Sequence, residues 1–452
     1  MTAEKPAIIP YREILRLAWP ASVAASVTPL LGAIDVWALG RSDRPLDIAA
    51  IGLGSVIFSL AYWTFGFIRM SVAGLTAQAA GAGEEIEARA ALLRGALLGG
   101  AIGLALVIFQ GLIGWLAFAA LHVDSKASED TFNAARLYFD IRIWGAPFAL
   151  ATYAGLGWLS ARGRTDYLMA TSVFMTGLNV VLDYLFVVSY GWGAAGVAAG
   201  TLIAEISGFL VCAYFVARIM SRFGGVRMAI SRETLLSPSM IARTMAVNRD
   251  IFIRTILLAF SFAWFTQRGG AFGDVTLAAN QTLLQLFLFT GLALDGTAIA
   301  AETLVGQSIG DKDRLRGFHR YQSAVRRTFI VAMIAALFFA ALYAVFGDGL
   351  VAMLTPDGAI RAAASQYMIW IALSPLAVVI GFQLDGVFIG ATRAREMRDS
   401  MIISAPLFLA LSLALSKLFA NHGLWAAFDA YFVMRAVTLG VFMPRIRRSF
   451  AV

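Results

Sequence analysis

From residue 13 to residue 444 the chain is a succession of apolar stretches, separated by short connections that hold most of its charge. A helix of about 20 apolar residues is long enough to cross the hydrocarbon core of a bilayer. Twelve such spans can be read, over 13–40, 48–80, 90–121, 131–161, 166–190, 193–219, 242–268, 275–309, 321–346, 361–391, 398–420 and 423–444. Lipid offers no partner to a backbone N–H or C=O, so a spanning segment is either a helix or a strand of a closed barrel. The in–out alternation of barrel strands is absent from these stretches. Composition agrees: 60% of the 452 residues are hydrophobic and 14% charged, where a soluble domain carries about one quarter charged residues. That much apolar surface cannot be hidden in a globular core. The expected fold class is all-α, an integral membrane protein of twelve transmembrane helices.

The placement of charge orients the helices. Lys5, Arg12 and Arg16 precede or open span 1. The connections after even-numbered spans carry Arg89, then Arg162 and Arg164, then Arg218, Arg222, Arg227 and Arg232, then Lys312, Arg314, Arg316 and Arg320, then Arg393, Arg395 and Arg398. Arg445, Arg447 and Arg448 follow span 12. Connections after odd-numbered spans are poorer, with Arg41, Arg44, Lys126 and Arg268 the main exceptions. The positive-inside rule then puts both termini in the cytoplasm, with the cell inner membrane as the expected location. The net charge of +8 reads as a topology signal, with no nucleic-acid partner implied, and each charged run as a solvated loop. The first residues are polar and the first apolar stretch lacks a cleavage site, so span 1 is expected to be retained. A single cysteine, Cys212, and three histidines, His122, His319 and His422, argue against a disulfide and against a cysteine or histidine metal site.

The longest connection, about residues 220–240, cuts the chain near its middle, and self-similarity follows the cut. Leu75, Gln78 and Gly81 recur as Leu304, Gln307 and Gly310; Gly157-Trp158-Leu159 recurs as Gly386-Val387-Phe388; Pro147 recurs as Pro375. The offset is the same for the first two groups, 75 to 304 and 157 to 386, and shorter by one for the prolines. Two parallel repeats imply six-helix bundles related by a pseudo-twofold axis along the membrane normal, with a binding cavity between them. The expected organisation is a bundle over 1–220, a cytoplasmic linker over 221–240 and a bundle over 241–452.

Ionisable groups at membrane depth mark functional sites by default, because they cost a few kcal/mol or more there. Asp35 lies about 22 residues into span 1, Asp183 about 17 into span 5, and Thr201 about 8 into span 6, which runs the other way; at 1.5 Å per residue the three reach comparable depth. Asn179 and Asp183 are four apart and share a helix face. Asp35, Asn179, Asp183 and Thr201 can therefore form one polar cluster, either an ion site or a hydrogen-bond network that fixes packing. Two carboxylates in a low-dielectric site cannot comfortably both ionise: one holds a proton, or a cation sits between them. Oxygen ligands suit H⁺ or Na⁺. Pro20 and Pro29 lie on the way to Asp35 and permit a kink, mobile or static. The repeat offset carries the four cluster positions onto Trp264, Phe408, Ser412 and Ala430, so ion coupling is expected in the first half alone. Asp295, Glu302 and Asp385, with Gln78 and Gln307, are candidate cavity or substrate residues; pairing of the acids with Arg69 or Arg254 is the competing reading. The glycines between Gly191 and Gly200 are not followed by the lysine and hydroxyl of a phosphate loop and read as close helix packing. No nucleophile–base pair or cofactor motif is evident, and an enzyme is not expected.

These residues carry a resemblance. Trp19-Pro20, Pro29-Leu30 and Asp35, Gln78-Ala79-Ala80-Gly81, Asn179 with Asp183, Gly193 with Gly196, Ala198 and Thr201, and Val305-Gly306-Gln307 together resemble the multidrug and toxic compound extrusion (MATE) transporters. Asn248-Arg249-Asp250-Ile251-Phe252-Ile253-Arg254 and Leu294-Asp295-Gly296 are similar to the DNA-damage-inducible branch of that family. The resemblance implies a V-shaped pair of six-helix bundles. It also implies a secondary antiporter that exports organic cations or amphipathic compounds in exchange for H⁺ or Na⁺, without a cofactor. It further implies ion coupling at Asp35, Asn179, Asp183 and Thr201, which occupy the matching positions. Relatives with an acid in span 7 use the second half for ions; span 7 is read here as offering none. Partners are then small organic molecules and lipid, and the protein is expected to be a monomer. The alternatives are a flippase for lipid-linked precursors or polysaccharides, which a cavity lined by Arg69, Arg142 and Arg254 would favour, and an intramembrane enzyme.

The charge pattern makes a direct prediction: a reporter that works only in the cytoplasm, fused after Val452, will be active, and the same reporter inserted between spans 3 and 4 will be silent.

Overall fold

The computed structural model describes residues 8–27, 39, 45–122, 128–223, 225 and 230–450. Among them the protein is helical, with no strand. The first half holds α1 (Tyr11–Val27), α2 (Pro45–Phe65), α3 (Phe67–Ala82), α4 (Glu85–Ile108), α5 (Gln110–His122), α6 (Glu129–Arg142), α7 (Ala146–Ala161), α8 (Thr165–Asp183) and α9 (Gly193–Arg222). A short α10 (Arg232–Leu235) leads to α11 (Pro238–Gly270), α12 (Asp274–Ile309), α13 (Arg314–Leu354), α14 (Gly358–Gly390) and α15 (Ala394–Arg447). The expected spans coincide with these helices, span 1 as far as Val27. Span 2 is α2 and α3 joined across Gly66, span 3 is α4 and α5, and span 4 is α6 and α7 joined by a tight turn at Ile143–Gly145. Spans 11 and 12 are the two arms of α15, which breaks at Ala420 (φ 49°, ψ −131°). A positive φ is strained for alanine. The break is held by the amides that follow it: Asn421 and Asn280 exchange hydrogen bonds of 2.8 and 2.9 Å, and Trp425 Nε1 donates to Asn280 Oδ1 at 2.8 Å.

The helices pack into two compact units. One comprises 1–22, 77–83 and 242–452, the other 23–76 and 84–241. Neither is a continuous half. In the first unit, α1 is tied to the second-half helices: Ser22 Oγ donates to Ala293 O at 2.6 Å, and Arg327 Nη1 donates to Ile9 O at 2.7 Å. Its core is aromatic, with Phe265, Phe287, Trp425, Phe428 and Phe432 packed at centroid separations of 4.6–6.0 Å, in the edge-on and tilted geometries that ring quadrupoles favour. The core of the second unit gathers Phe58, Phe118, Tyr138 and Phe139 around Ala135, Val197 and Ala198.

Glycine sets the closest helix approaches, and it does so twice. In the second unit Gly157 of α7 lies against the carbonyl of Arg69, where a Cβ would overlap. In the first unit Gly386 of α14 lies in the same way against the carbonyl of Ala298. The repeat offset carries Gly157 onto Gly386 and Arg69 onto Ala298, so the repeat seen in sequence is a repeat of packing. Gly81 abuts the backbone of Gln307 while Gly310 abuts the backbone of Gln78. Such reciprocity is what a twofold relation between like segments produces, and it is why residues 77–83 group with the second half.

The arginine-rich connections are less solvated than charge alone implies. Arg89 is 1% exposed and donates to the carbonyls of Met220, Phe223 and Gly225 at 2.6–3.1 Å and to Glu85 at 3.0 Å. Its guanidinium thus closes the end of α9, where carbonyls lack intrahelical partners and the helix dipole favours a cation.

The glycine contacts predict that Gly157→Val and Gly386→Val will each lower stability by about 1–3 kcal/mol or more, the cost of overpacking. Gly100→Ala, where a Cβ meets nothing within 4 Å, will not. Thermal unfolding of the purified protein in detergent checks all three.

Candidate functional site

α8 and α9 run side by side in the second unit, and their facing residues are unusually small or polar. Asn179 and Asp183 project from α8 one turn apart, both 0% exposed, and Thr201 from α9 is 6% exposed. The Asn179 carboxamide donates to Thr201 Oγ1 at 3.2 Å and approaches Asp183 Oδ1 at 3.4 Å. Asn179 Oδ1 is buried and accepts no hydrogen bond from the described residues. Gly200 makes the arrangement possible: a Cβ there would stand 2.7 Å from Asp183 Oδ1, so only glycine lets the carboxyl lie against α9. Immediately after Asp183 the chain takes a π-helical turn, Tyr184–Ser189, a widened coil that loosens the i→i−4 ladder and often marks functional positions. Three of the four expected cluster residues thus meet, and the competing reading of a packing network shares the same bonds. Asp35, the fourth, lies outside the described residues, as does Pro29. Pro20 is buried in α1, which continues through it to Val27.

One turn beyond Thr201 on the same face of α9 is Glu205, 6% exposed. Tyr62 donates to Glu205 Oε2 at 3.3 Å, and Arg142 Nη2 stands 3.7 Å from Oε1. Arg142 also bonds the Tyr138 hydroxyl and lies over the Phe58 ring at 4.6 Å. Gly145 provides the room, since a Cβ there would overlap the Glu205 carboxylate. This layer is absent from the expected site residues. The spacing of four from Thr201 to Glu205 is its signal in the sequence; the ring of Tyr62, Tyr138 and Arg142 has none, because those residues come from α2 and α6.

In the first unit Asp385 sits between two arginines. Arg254 of α11 and Arg435 of α15 both donate to Asp385 Oδ2, the latter at 2.6 Å, and all three side chains are at most 7% exposed. The pairing expected with Arg254 is therefore present, and the Asp385 carboxylate is already answered by cations. Span 7 does carry an acid, contrary to expectation: Asp250, 5% exposed, accepts from Arg398 at 2.8 Å and from Arg249 at 3.0 Å. Asp295 is half-buried and Glu302 is 2% exposed, both on α12. Gln78 donates to Gly390 O at 3.0 Å and to Thr392 Oγ1 at 3.2 Å, and accepts from Arg243 at 2.9 Å. Gln307 offers its backbone to Gly81.

Comparison with known proteins fits this architecture. The MatE family model matches residues 20–185 and 251–415. The chain is 33% identical over 444 residues to DNA damage-inducible protein F of Escherichia coli (strain K12), covering 97% of this chain and 93% of that protein. It is 24% identical over 397 residues to the probable multidrug resistance protein NorM of Bacillus cereus, covering 85% and 82%. A MOP superfamily transporter from Pyrococcus furiosus superposes with a TM-score of 0.83 at 18% identity, covering 98% of this chain and 97% of that one. A Vibrio cholerae MATE transporter does so with 0.83 at 16% identity, covering 97% of each. The two sequence blocks of the family fall one in each half of the chain, over the repeated glycines and over Asp183 and Asp385, and the chain belongs to the MatE family of membrane transporters.

Proposed function

We propose that the protein exports organic cations or other amphipathic compounds from the cytoplasm across the inner membrane, as a monomer with both termini inside, in exchange for H⁺ or Na⁺. Ion coupling is assigned to Asp35, Asn179, Asp183 and Thr201. The observation that carries this reading is Asn179 bridging Asp183 and Thr201 in a fully buried place between α8 and α9. A buried carboxyl beside an amide and a hydroxyl gives a small cation or a proton oxygen atoms to bind. The relatives named as multidrug resistance proteins support the substrate class.

The repeat supports the pairing of Asp35 with Asp183. The same offset carries these two positions onto Trp264 and Ser412, and Trp264 Nε1 donates to Ser412 Oγ at 2.9 Å. In the second half the two positions touch, and there they hold an indole and a hydroxyl, neither of which ionises at neutral pH. The matching sequence positions in the first half carry two acids. Of the arginines whose exposure to a cavity would favour a flippase, Arg142 contacts Glu205 and Arg254 contacts Asp385, which favours the exporter.

Ethidium efflux from proteoliposomes, with pH and Na⁺ gradients imposed separately, tests the reading. Asp183→Asn is expected to lower gradient-driven efflux at least about tenfold, the rate equivalent of roughly 1.4 kcal/mol, while leaving thermal stability nearly unchanged. Wild-type efflux in that variant would overturn the assignment. Asp385→Asn is expected to behave in the opposite way on stability. It leaves two buried arginines without their counter-charge, at a cost of about 3–5 kcal/mol, which thermal unfolding in detergent will register.

A further inference from the structure

The seam between α14 and the second arm of α15 carries three polar ties in register. Trp370 Nε1 donates to His422 Nδ1 at 3.1 Å, Ser374 contacts Asp429 at 2.6 Å, and Asp385 pairs with Arg435. The first and third have an obvious donor and acceptor. The middle one does not, if Asp429 is ionised. Ser374 Oγ lies 2.8 Å from Trp370 O, the back-bond of a serine in a helix, and 2.6 Å from Asp429 Oδ1. A serine hydroxyl has one hydrogen, and here it faces two acceptors. The count closes when Asp429 carries a proton: Asp429 donates to Ser374 Oγ, and Ser374 donates to Trp370 O. The 2.6 Å separation lies within the range of an O–H···O bond donated from either side, so the hydrogen count carries the assignment.

The surroundings agree. Asp429 is 7% exposed and Ser374 2%. Asp429 Oδ2 is buried without a hydrogen-bond partner among the described residues, which a carboxylic acid tolerates far better than a carboxylate. The charged and titratable groups on the packed elements make their contacts elsewhere. His422 meets Trp370; Arg435 and Arg254 both meet Asp385; Tyr343 of α13 bonds Thr290; Tyr431 contacts Met401. Asp295 and Glu302 lie on α12, further along the chain than Thr290. Two side-chain oxygens are too few to cage a metal ion. An asparagine at 429 would make the same tie permanently. The acid makes it conditional, next to Pro375, whose missing N–H already leaves α14 one backbone bond short.

We propose that Asp429 is a proton-binding site: it holds a proton shared with Ser374 and ties α15 to α14 beside Pro375, and when the proton leaves the single Ser374 hydrogen can serve only one of its two acceptors, Asp429 or Trp370 O. The site lies in the first unit and stands whether or not the cluster around Asp183 couples ions.

Infrared spectroscopy of the full-length protein in lipid vesicles at stepped pH tests it. At neutral pH the wild type should show a protonated-carboxyl C=O band that alkali bleaches reversibly. Asp429→Asn, whose carboxamide still donates to Ser374, should lose that band and keep its thermal stability. Ser374→Ala, which removes the acceptor, should shift the band to higher frequency. The band lost in Asp429→Asn should persist in an Asp183→Asn background, which separates this site from the proposed coupling cluster. Identical spectra for wild type and Asp429→Asn at neutral pH, a band indifferent to alkali until the protein unfolds, or a band unmoved by Ser374→Ala would each overturn the proposal.

Discussion

Inside a bilayer no water waits to satisfy a polar group, so every N–H, carbonyl and charge at depth must be answered by the protein itself. The structure of this transporter follows from that one condition. The backbone meets it by being helical throughout its spans among the described residues. The side chains meet it in a few dense places: Arg254 and Arg435 on Asp385, Arg142 and Tyr62 on Glu205, Asn280 on Asn421 and Trp425. At the candidate site the answer is a different one. Asn179 offers one amide to both Asp183 and Thr201, and its own carbonyl oxygen is left over among the described residues. Under the proposed coupling reading, that left-over acceptor beside a buried carboxyl is where the small ion would bind.

The repeat shows how one scaffold is used in two ways. The glycine contacts Gly157 on Arg69 and Gly386 on Ala298 reproduce the same helix crossing in the two halves, because a backbone-to-backbone approach depends only on the missing Cβ. The polar content at matching positions has diverged. Asp35 and Asp183 correspond to Trp264 and Ser412, a neutral hydrogen bond. Gly200, which admits the Asp183 carboxyl, corresponds to Asp429, an acid turned toward Ser374. The halves share their geometry and differ in their chemistry.

Much of the candidate site was legible along the chain. The four-residue spacing of Asn179 and Asp183 and the depth match with Thr201 needed only helix geometry, and the three residues do meet. The Glu205 layer was half legible: its place on α9 follows from Thr201, but its partners Tyr62, Tyr138 and Arg142 come from helices whose rotation about their own axes no local pattern fixes. The same blindness applied to Asp385. Its burial was evident from the apolar stretch around it and Arg254 was already a candidate partner, whereas its second arginine, Arg435, 50 residues away in sequence, had to be found in space. Gln78 carried the repeat's signature, but its bonds to Arg243, Gly390 and Thr392 join segments far apart in sequence and no local pattern announced them.

The amino-acid sequence by itself determined the class of solvent, the helical backbone, the number of spans and the repeat, because hydrocarbon thickness and the absence of water act on each stretch locally and leave their mark in composition and period. Only the tertiary structure decided which buried charges are neutralised and which polar atoms are left over. That outcome depends on how helices distant in sequence turn toward one another, on a missing Cβ at Gly200 or Gly145, and on whether a single serine hydrogen must serve two acceptors. None of these is a property of any one segment.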